Sequence, residues 1–442
     1  MLTAFGRAFR TPDLRNKILF TLAILALFRF GSTIPAPGVD YSHVHECLQA
    51  SENNSVLQIV NLFSGGALLS LTVFALGIMP YITSSIIIQL LVVVIPRLER
   101  LKEQGGAGQA KLTQYTRYLT VALAILQATG IVALARSGRL LTGCYVPGTT
   151  TPLSLLYSTS IFHISVMVIT MTAGTAVIMW LGELITDRGI GNGMSLLIFT
   201  SIAARFPSQG SQILQNRGPT ALVLVLLAGL LIIVGIVFME QGQRRIPVQY
   251  AKRMIGRRMY GGTSTYIPLK VNQAGVIPVI FSSSLLYLPQ LLSQVWSSNA
   301  GFTKFVSTYL TATDSWSYIL AYALLTIFFT YFYVAITFNP VEVSDNMRKY
   351  GGFIPGIRPG RPTAEYLEYV LSRITLPGAL YLTAIAVLPI LALHYLPGSA
   401  SGTSQSFPFG GTSVLILVGV GLDTSKQIES QLMLRNYEGF LR

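Results

Sequence analysis

Apolar residues along this chain come in long runs, not in the narrow stripes of soluble amphipathic helices. A helix that crosses hydrocarbon needs about 20 predominantly apolar residues. Runs of that order occupy 17–34, 77–96, 114–135, 161–184, 190–206, 220–239, 274–296, 317–338, 374–396 and 410–430, which predicts ten transmembrane helices. The fifth run is short and the tenth ends in charge. The first follows Arg7, Arg10, Arg15 and Lys17, as the core of a secretory leader would. It contains Arg29, exceeds a leader's apolar core and has no small-residue cleavage site, so it reads as a span.

One stretch breaks the pattern. From Ile59 to Pro96 the chain is too long for one span and too short for two with a turn, and Gly65-Gly66, Gly77 and Pro80 interrupt it. The expected solution is a short half-helix from Asn61 to about Phe74, followed by a full span. Irregular backbone at membrane depth survives only when buried in protein or lining an aqueous cavity. A cavity is thus implied, with a re-entrant packing element as the alternative.

Composition agrees with a lipid solvent: 51% of residues are hydrophobic, 11% are charged, and mean hydropathy is +0.57. Charge then sets orientation. With both termini cytoplasmic, five of the 31 Lys and Arg lie outside (Arg136, Arg139, Arg205, Arg217, Lys304), Arg29 lies in a span, and all the others face the cytoplasm. The net charge of +14 is largely this topological bias, and no zinc-finger, RRM or homeodomain pattern accompanies it. Trp180, Trp296 and Trp316 fall at span boundaries, as an aromatic belt requires.

Two inner loops exceed what topology needs. Residues 240–273 carry Arg244, Arg245, Lys252, Arg253, Arg257, Arg258 and Lys270, and residues 339–373 carry Arg348, Lys349, Arg358, Arg361 and Arg373. They are either solvated positive-inside loops facing anionic lipid or a docking platform for a large cytoplasmic partner.

Candidate chemistry is sparse. The spans hold almost no ionisable side chains, whereas ion-coupled carriers keep them there for function. Glu183, Asp187, Asp423 and Lys426 lie near cytoplasmic ends, Arg29 is near enough to the outer face to snorkel, and His163 and His394 read as interfacial. No catalytic constellation, metal-ligand spacing or cofactor motif is present. Gly189-Ile190-Gly191-Asn192-Gly193 imitates a nucleotide loop, but no strand precedes it and no phosphate-binding Lys follows, so it reads as a tight turn between two spans. Cys47 and Cys144, both placed outside, read as separate thiols more readily than as a disulfide.

A series of motifs resembles the SecY family, the channel-forming subunits of the bacterial Sec protein translocon. It runs in family order: Phe63-Ser64-Gly65-Gly66-Ala67-Leu68, Ala75-Leu76-Gly77-Ile78-Met79-Pro80-Tyr81-Ile82, Gln114-Tyr115-Thr116-Arg117-Tyr118, Trp180-Leu181-Gly182-Glu183, Gln243-Arg244-Arg245-Ile246, Pro268-Leu269-Lys270-Val271-Asn272, Pro355-Gly356-Ile357-Arg358-Pro359-Gly360 and Phe409-Gly410-Gly411-Thr412-Ser413. Each motif alone is weak; the series is specific.

The resemblance implies an all-α membrane protein of ten helices in two pseudo-symmetric halves, 1–206 and 207–442, around an hourglass pore. It implies a plug including Asn61, Phe63, Ser64, Gly65, Gly66 and Leu68. It implies a pore ring of Ile78, Ile82, Met194, Ile198, Ile280 and Ile416, with Met194 standing where isoleucine is frequent. Such a ring dewets yet yields to an extended polypeptide, although isoleucine in a span is usually packing. A lateral gate would carry Thr83, Gln127 and Asn272, and docking residues would be Arg244, Arg245, Arg257, Arg258 and Arg358. The expected function is passive translocation of unfolded polypeptides across the cytoplasmic membrane, with lateral release of apolar segments into lipid. The expected partners are SecE and SecG, the SecA ATPase, the ribosome, signal peptides and preproteins, and anionic lipids, with no direct nucleotide or DNA binding. A secondary solute carrier with a re-entrant loop is the rival reading, and a membrane-embedded enzyme a third.

Overall fold

All ten apolar runs carry helix in the computed structural model, which describes residues 9, 11–50, 64–136, 155–158, 160–250, 253–255, 258–260, 264–295, 300–306, 309, 315–395 and 411–438. The first half holds α1 (Pro12–Gly31), the short α2 (Tyr41–Ala50), α3 (Met79–Val94), α4 (Pro96–Glu103), α5 (Gly106–Arg136), α6 (Ile161–Arg188) and α7 (Gly193–Ala203). After α8 (Phe206–Gln241) come strands β1 (Gln243–Tyr250), β2 (Arg253–Ile255), β3 (Arg258–Tyr260) and β4 (Ser264–Lys270). The chain continues through α9 (Ile277–Val295), α10 (Ala300–Val306), α11 (Trp316–Thr337), α12 (Pro340–Lys349), β5 (Gly352–Phe353), α13 (Arg361–Tyr395) and α14 (Gly411–Glu438).

Local chemistry sets the boundaries. Proline opens α1, α3, α4 and α12, where its missing N–H costs nothing. Asn192, Ser315 and Asn339 cap α7, α11 and α12 by accepting from the first free backbone N–H groups. Gly218 (φ 82°) and Pro219 break α8, so its apolar part begins at the predicted sixth span while residues 206–217, expected as loop, are also helical.

Among the described residues, five helical stretches are long and apolar enough to cross a bilayer by themselves: Gly106–Arg136, Ile161–Arg188, Gly218–Gln241, Trp316–Lys349 and Arg361–Leu388. The pair α3 and α4 also qualifies but bends by 101° at Ile95. The helices of the other predicted spans are shorter or end in charge.

Two expectations are corrected and a third is refined. The segment expected as a half-helix to Phe74 runs from 64 to 78 as successive turns, because Gly65 (φ 68°), Gly66 (φ 98°) and Leu71 (φ 48°) adopt left-handed backbone that no α-helix contains. Asn61 and Phe63 lie outside the described residues. Secondly, the all-α class stands, with one small sheet added to it in the long loops. Loop 240–273 is a β1–β4 hairpin, paired from Gln243↔Lys270 to Gln249↔Ser264, and β5 joins its other edge in the order β4-β1-β5. The segment was expected as loop, and in the strand Ile246 and Val248 are buried between exposed neighbours. Finally, Cys47 is disulfide-bonded, not a separate thiol, and the one other cysteine, Cys144, lies outside the described residues.

Candidate channel waist, plug and gate

The six ring residues converge. Ile78, Ile198, Ile280 and Ile416 are buried in one cluster, against which Ile82 and Met194 pack. They come from α3 and the residue before it, α7, α9 and α14, so one apolar knot joins helices from both ends of the chain.

Position follows from local structure. Ile78 and Ile82, like Met194 and Ile198, are four residues apart and share a helix face. The turn at 189–193 delivers α7 as expected: Thr21 Oγ1 accepts from Ile190 N (3.2 Å), and Thr186 Oγ1 from Gly193 N (2.9 Å). Gly193 must lack a side chain, since a Cβ there would stand 1.9 Å from the Gly182 carbonyl oxygen. A Cβ on Gly182 would stand 2.4 Å from Met194 Sδ. The thioether therefore leans back into the slot at Gly182.

The plug segment packs beside this knot. Ser64, Leu68 and Leu71 are at most 2% exposed. Backbone bonds Ala36 N to Leu71 O (3.0 Å) and Val73 N to Ile34 O (2.9 Å) strap the segment to the chain after α1. Arg29, expected to snorkel, instead donates from Nη1 to Gly65 O (3.0 Å). A Cβ on Gly66 would lie 3.4 Å from the Arg205 guanidinium, so two cations face the Gly65-Gly66 backbone. Phe74 stacks on Phe28 with centroids 6.0 Å apart and joins the plug to the waist cluster.

The gate residues divide. A cavity of about 150 Å³ opens between α3, α5, α9 and α11, and Thr83 and Gln127 line it with Leu68 and Leu76 of the plug segment. Asn272 is elsewhere, in the turn before α9, donating to Glu240 and to Gly275 O. α9 lines the cavity with Phe281, Leu285 and one polar residue, Ser284, whose buried Oγ has no partner among the described residues. The run Ser282-Ser283-Ser284, inside an otherwise apolar span, was the overlooked signal. Ser282 is engaged differently, accepting from Thr326 Oγ1 (3.2 Å) and so joining α9 to α11. Arg117 grips Glu183 with two bonds (2.9 and 2.7 Å) and ties α5 to α6.

The two basic loops form one body. β5 of the second pairs with β1 of the first, and Ile246, Val248, Leu269, Met347, Ile354 and Leu367 share a core. Arg244 and Arg245 are exposed on β1, with Arg245 over the Tyr266 ring at 4.8 Å. Arg358 is exposed on a braced tip: Thr363 Oγ1 donates to the Arg358 carbonyl (2.9 Å) and Ser344 Oγ to that of Gly360 (2.7 Å). Arg257 and the side chain of Arg258 lie outside the described residues.

A multi-pass helical membrane protein whose helices meet in one apolar knot, with an irregular buried segment beside it, has the architecture of a channel subunit. The chain belongs to the SecY family, whose model matches residues 72–425. It is 62% identical to the protein translocase subunit SecY of Mycobacterium bovis and 64% identical to that of Streptomyces coelicolor, each over the full length of both chains. Its fold matches a solved protein-conducting channel with a TM-score of 0.61 at 17% identity, covering 94% of this chain and 91% of that one. It also matches Sec61 of a canine ribosome–channel complex, with a TM-score of 0.57 at 17% identity and the same coverage.

Proposed function

We propose that this chain is the passive pore of a protein translocase, moving unfolded polypeptides across the cytoplasmic membrane and releasing apolar segments sideways into lipid. The carrying observation is the convergence of Ile78, Ile82, Met194, Ile198, Ile280 and Ile416 in one cluster. An apolar constriction excludes ions by dewetting, yet packed aliphatic side chains can part around an extended chain. The straps on the plug segment are a few backbone bonds, an affordable loss when a substrate enters. Thr83, Gln127 and Ser284 place polar groups in the cleft between α3 and α9, where a signal sequence would insert. Thr83 Oγ1 donates to Met79 O within its own helix and Ser284 Oγ has no partner among the described residues, so neither holds the gate shut, and even a bond made across the cleft would contribute only about 0.6 kcal/mol.

In this reading the halves are 1–206 and 207–442, both termini and the β1–β4–β5 body face the cytoplasm, and small SecE- and SecG-like subunits complete the channel. The basic body docks a SecA-like motor or a ribosome, which supplies the energy. Arg358 presents a planar guanidinium on a rigid tip, which suits a bidentate contact more than diffuse lipid attraction. Arg358→Glu should weaken motor binding by about 2 kcal/mol, roughly 30-fold, and cripple motor-driven preprotein transport into vesicles with topology unchanged. Arg358→Lys should also be impaired. Normal transport by the lysine variant, or an altered protease-protection map for the glutamate variant, would leave the loops as topological charge and sink the docking role.

A further inference from the structure

One carboxylate serves none of the roles above. Glu240 stands at the end of α8, half-buried, with no cation within ion-pair distance among the described residues. Gly242 O accepts from Val271 N (3.0 Å), which draws the end of β4 alongside α8 and sets Asn272 against Glu240. Asn272 is 3% exposed. Both of its amide hydrogens are used, one on Glu240 Oε1 and one on Gly275 O (3.2 Å), while its Oδ1 is buried without a donor.

Helix α13 closes the other side. A Cβ on Gly378 would meet the Val271 carbonyl oxygen at 2.5 Å, so this turn lies directly on α13. Tyr381 is three residues further along the same face, and its buried hydroxyl has no partner among the described residues. The remaining charged groups around Glu240 are Asp423 and Lys426 of α14 and Lys270 at the end of β4. Lys270 is drawn towards Asp423, with Nζ to Oδ1 at 3.7 Å.

Among the described residues no donor reaches Asn272 Oδ1, and the Tyr381 hydroxyl nearby is left unused. An ionised carboxylate only accepts; a protonated carboxyl also donates, and turning Asn272 Oδ1 to meet that hydrogen breaks the two Nδ2 bonds, to Glu240 and to Gly275 O, that now fix the turn before α9. The position makes this consequential, because Asn272 lies between the hairpin that ends at Lys270 and the gate helix that begins at Ile277. We propose that Glu240 is a proton-binding site at the foot of α9: its ionised form latches that foot through Asn272, and proton uptake onto the carboxylate releases the latch and favours an open cleft. This rests on reading the α3–α9 cleft as the gate.

The test uses the full channel with its membrane subunits in lipid nanodiscs, without a motor. Probes on Leu90→Cys and Leu285→Cys report the width of the cleft. The distance should grow as pH is lowered from neutral into the acid range. Glu240→Gln should hold the wide distance at every pH and remove a protonated-carboxyl infrared band that the unaltered protein shows on acidification. Tyr381→Phe removes only an unpartnered hydroxyl and should fold, so it guards against collapse of the glutamine variant; it should keep the transition and move its midpoint to higher pH. A pH-independent distance in the unaltered protein, or a Glu240→Gln channel that still responds to pH, overturns the proposal. A signal peptide added at neutral pH must widen the same pair. If it does not, the gate reading fails, whatever Glu240 does.

Discussion

The waist and the cleft are both contacts between distant parts of the chain, and they are built oppositely. At the waist, five isoleucines and the thioether of Met194, from four parts of the chain, close on one another with most members buried. At the cleft a cavity of about 150 Å³ remains, and Ser284 Oγ is buried there without a partner. Close packing gives many small dispersion gains and one preferred arrangement. A cavity and an orphaned hydroxyl lower the cost of parting. Opening should therefore begin at the cleft, and the waist should be the last contact to yield.

The largest effect should come from polarising the waist. Replacing Ile82 and Ile280 together by asparagine introduces two amides, which lowers the cost of hydrating the constriction by about 3 kcal/mol. Resting ion conductance in a planar bilayer should then rise roughly 100-fold. An unchanged resting current would remove these residues from the seal and erase the contrast with the cleft.

A smaller effect tests the packing that positions the waist. Gly193→Ala forces a methyl against the Gly182 carbonyl, where no flexible side chain can give way, and should cost about 2 kcal/mol. Gly235→Ala, with open space around it, should leave thermal stability the same or slightly higher. Equal melting temperatures for the two variants would mean that the α6–α7 contact does not constrain the ring.

The smallest effects divide two neighbouring serines of α9. Ser284→Ala removes an unsatisfied buried hydroxyl and should stabilise the closed cleft by about 1 kcal/mol, weakening signal-peptide binding. Ser282→Ala loses the bond with Thr326 and should destabilise by about 0.6 kcal/mol. Peptide affinity and thermal melting should move in opposite senses for the pair, and a shift of the same sign in both would deny that the cleft is the loosely held contact.

Much of this was legible in advance, and the exceptions share a cause. Spans were readable because lipid demands a continuous apolar run. The tight turn at 189–193 was readable because glycine there has a local steric reason. The strands of the basic body were written in the alternation around Ile246 and Val248, but positive charge and loop-like length drew attention away from period two. Asn272 and Ser284 could not be told apart by residue type, since which polar side chain faces a cleft depends on where the helix starts and how it is turned.

The amino-acid sequence alone determined the number of apolar runs, the charge asymmetry that orients them and the residues available to a seal, because hydrocarbon thickness, positive-inside bias and side-chain type act locally. Tertiary structure decided the rest. It turned the plug segment into strapped turns, set Arg29 on the Gly65 carbonyl, fused two loops through β5, and left Glu240, Asn272 and Tyr381 in one incompletely bonded junction. Each of those outcomes depends on which distant groups meet, and a buried polar atom acquires its meaning only from the partners that the fold brings, or fails to bring, within reach.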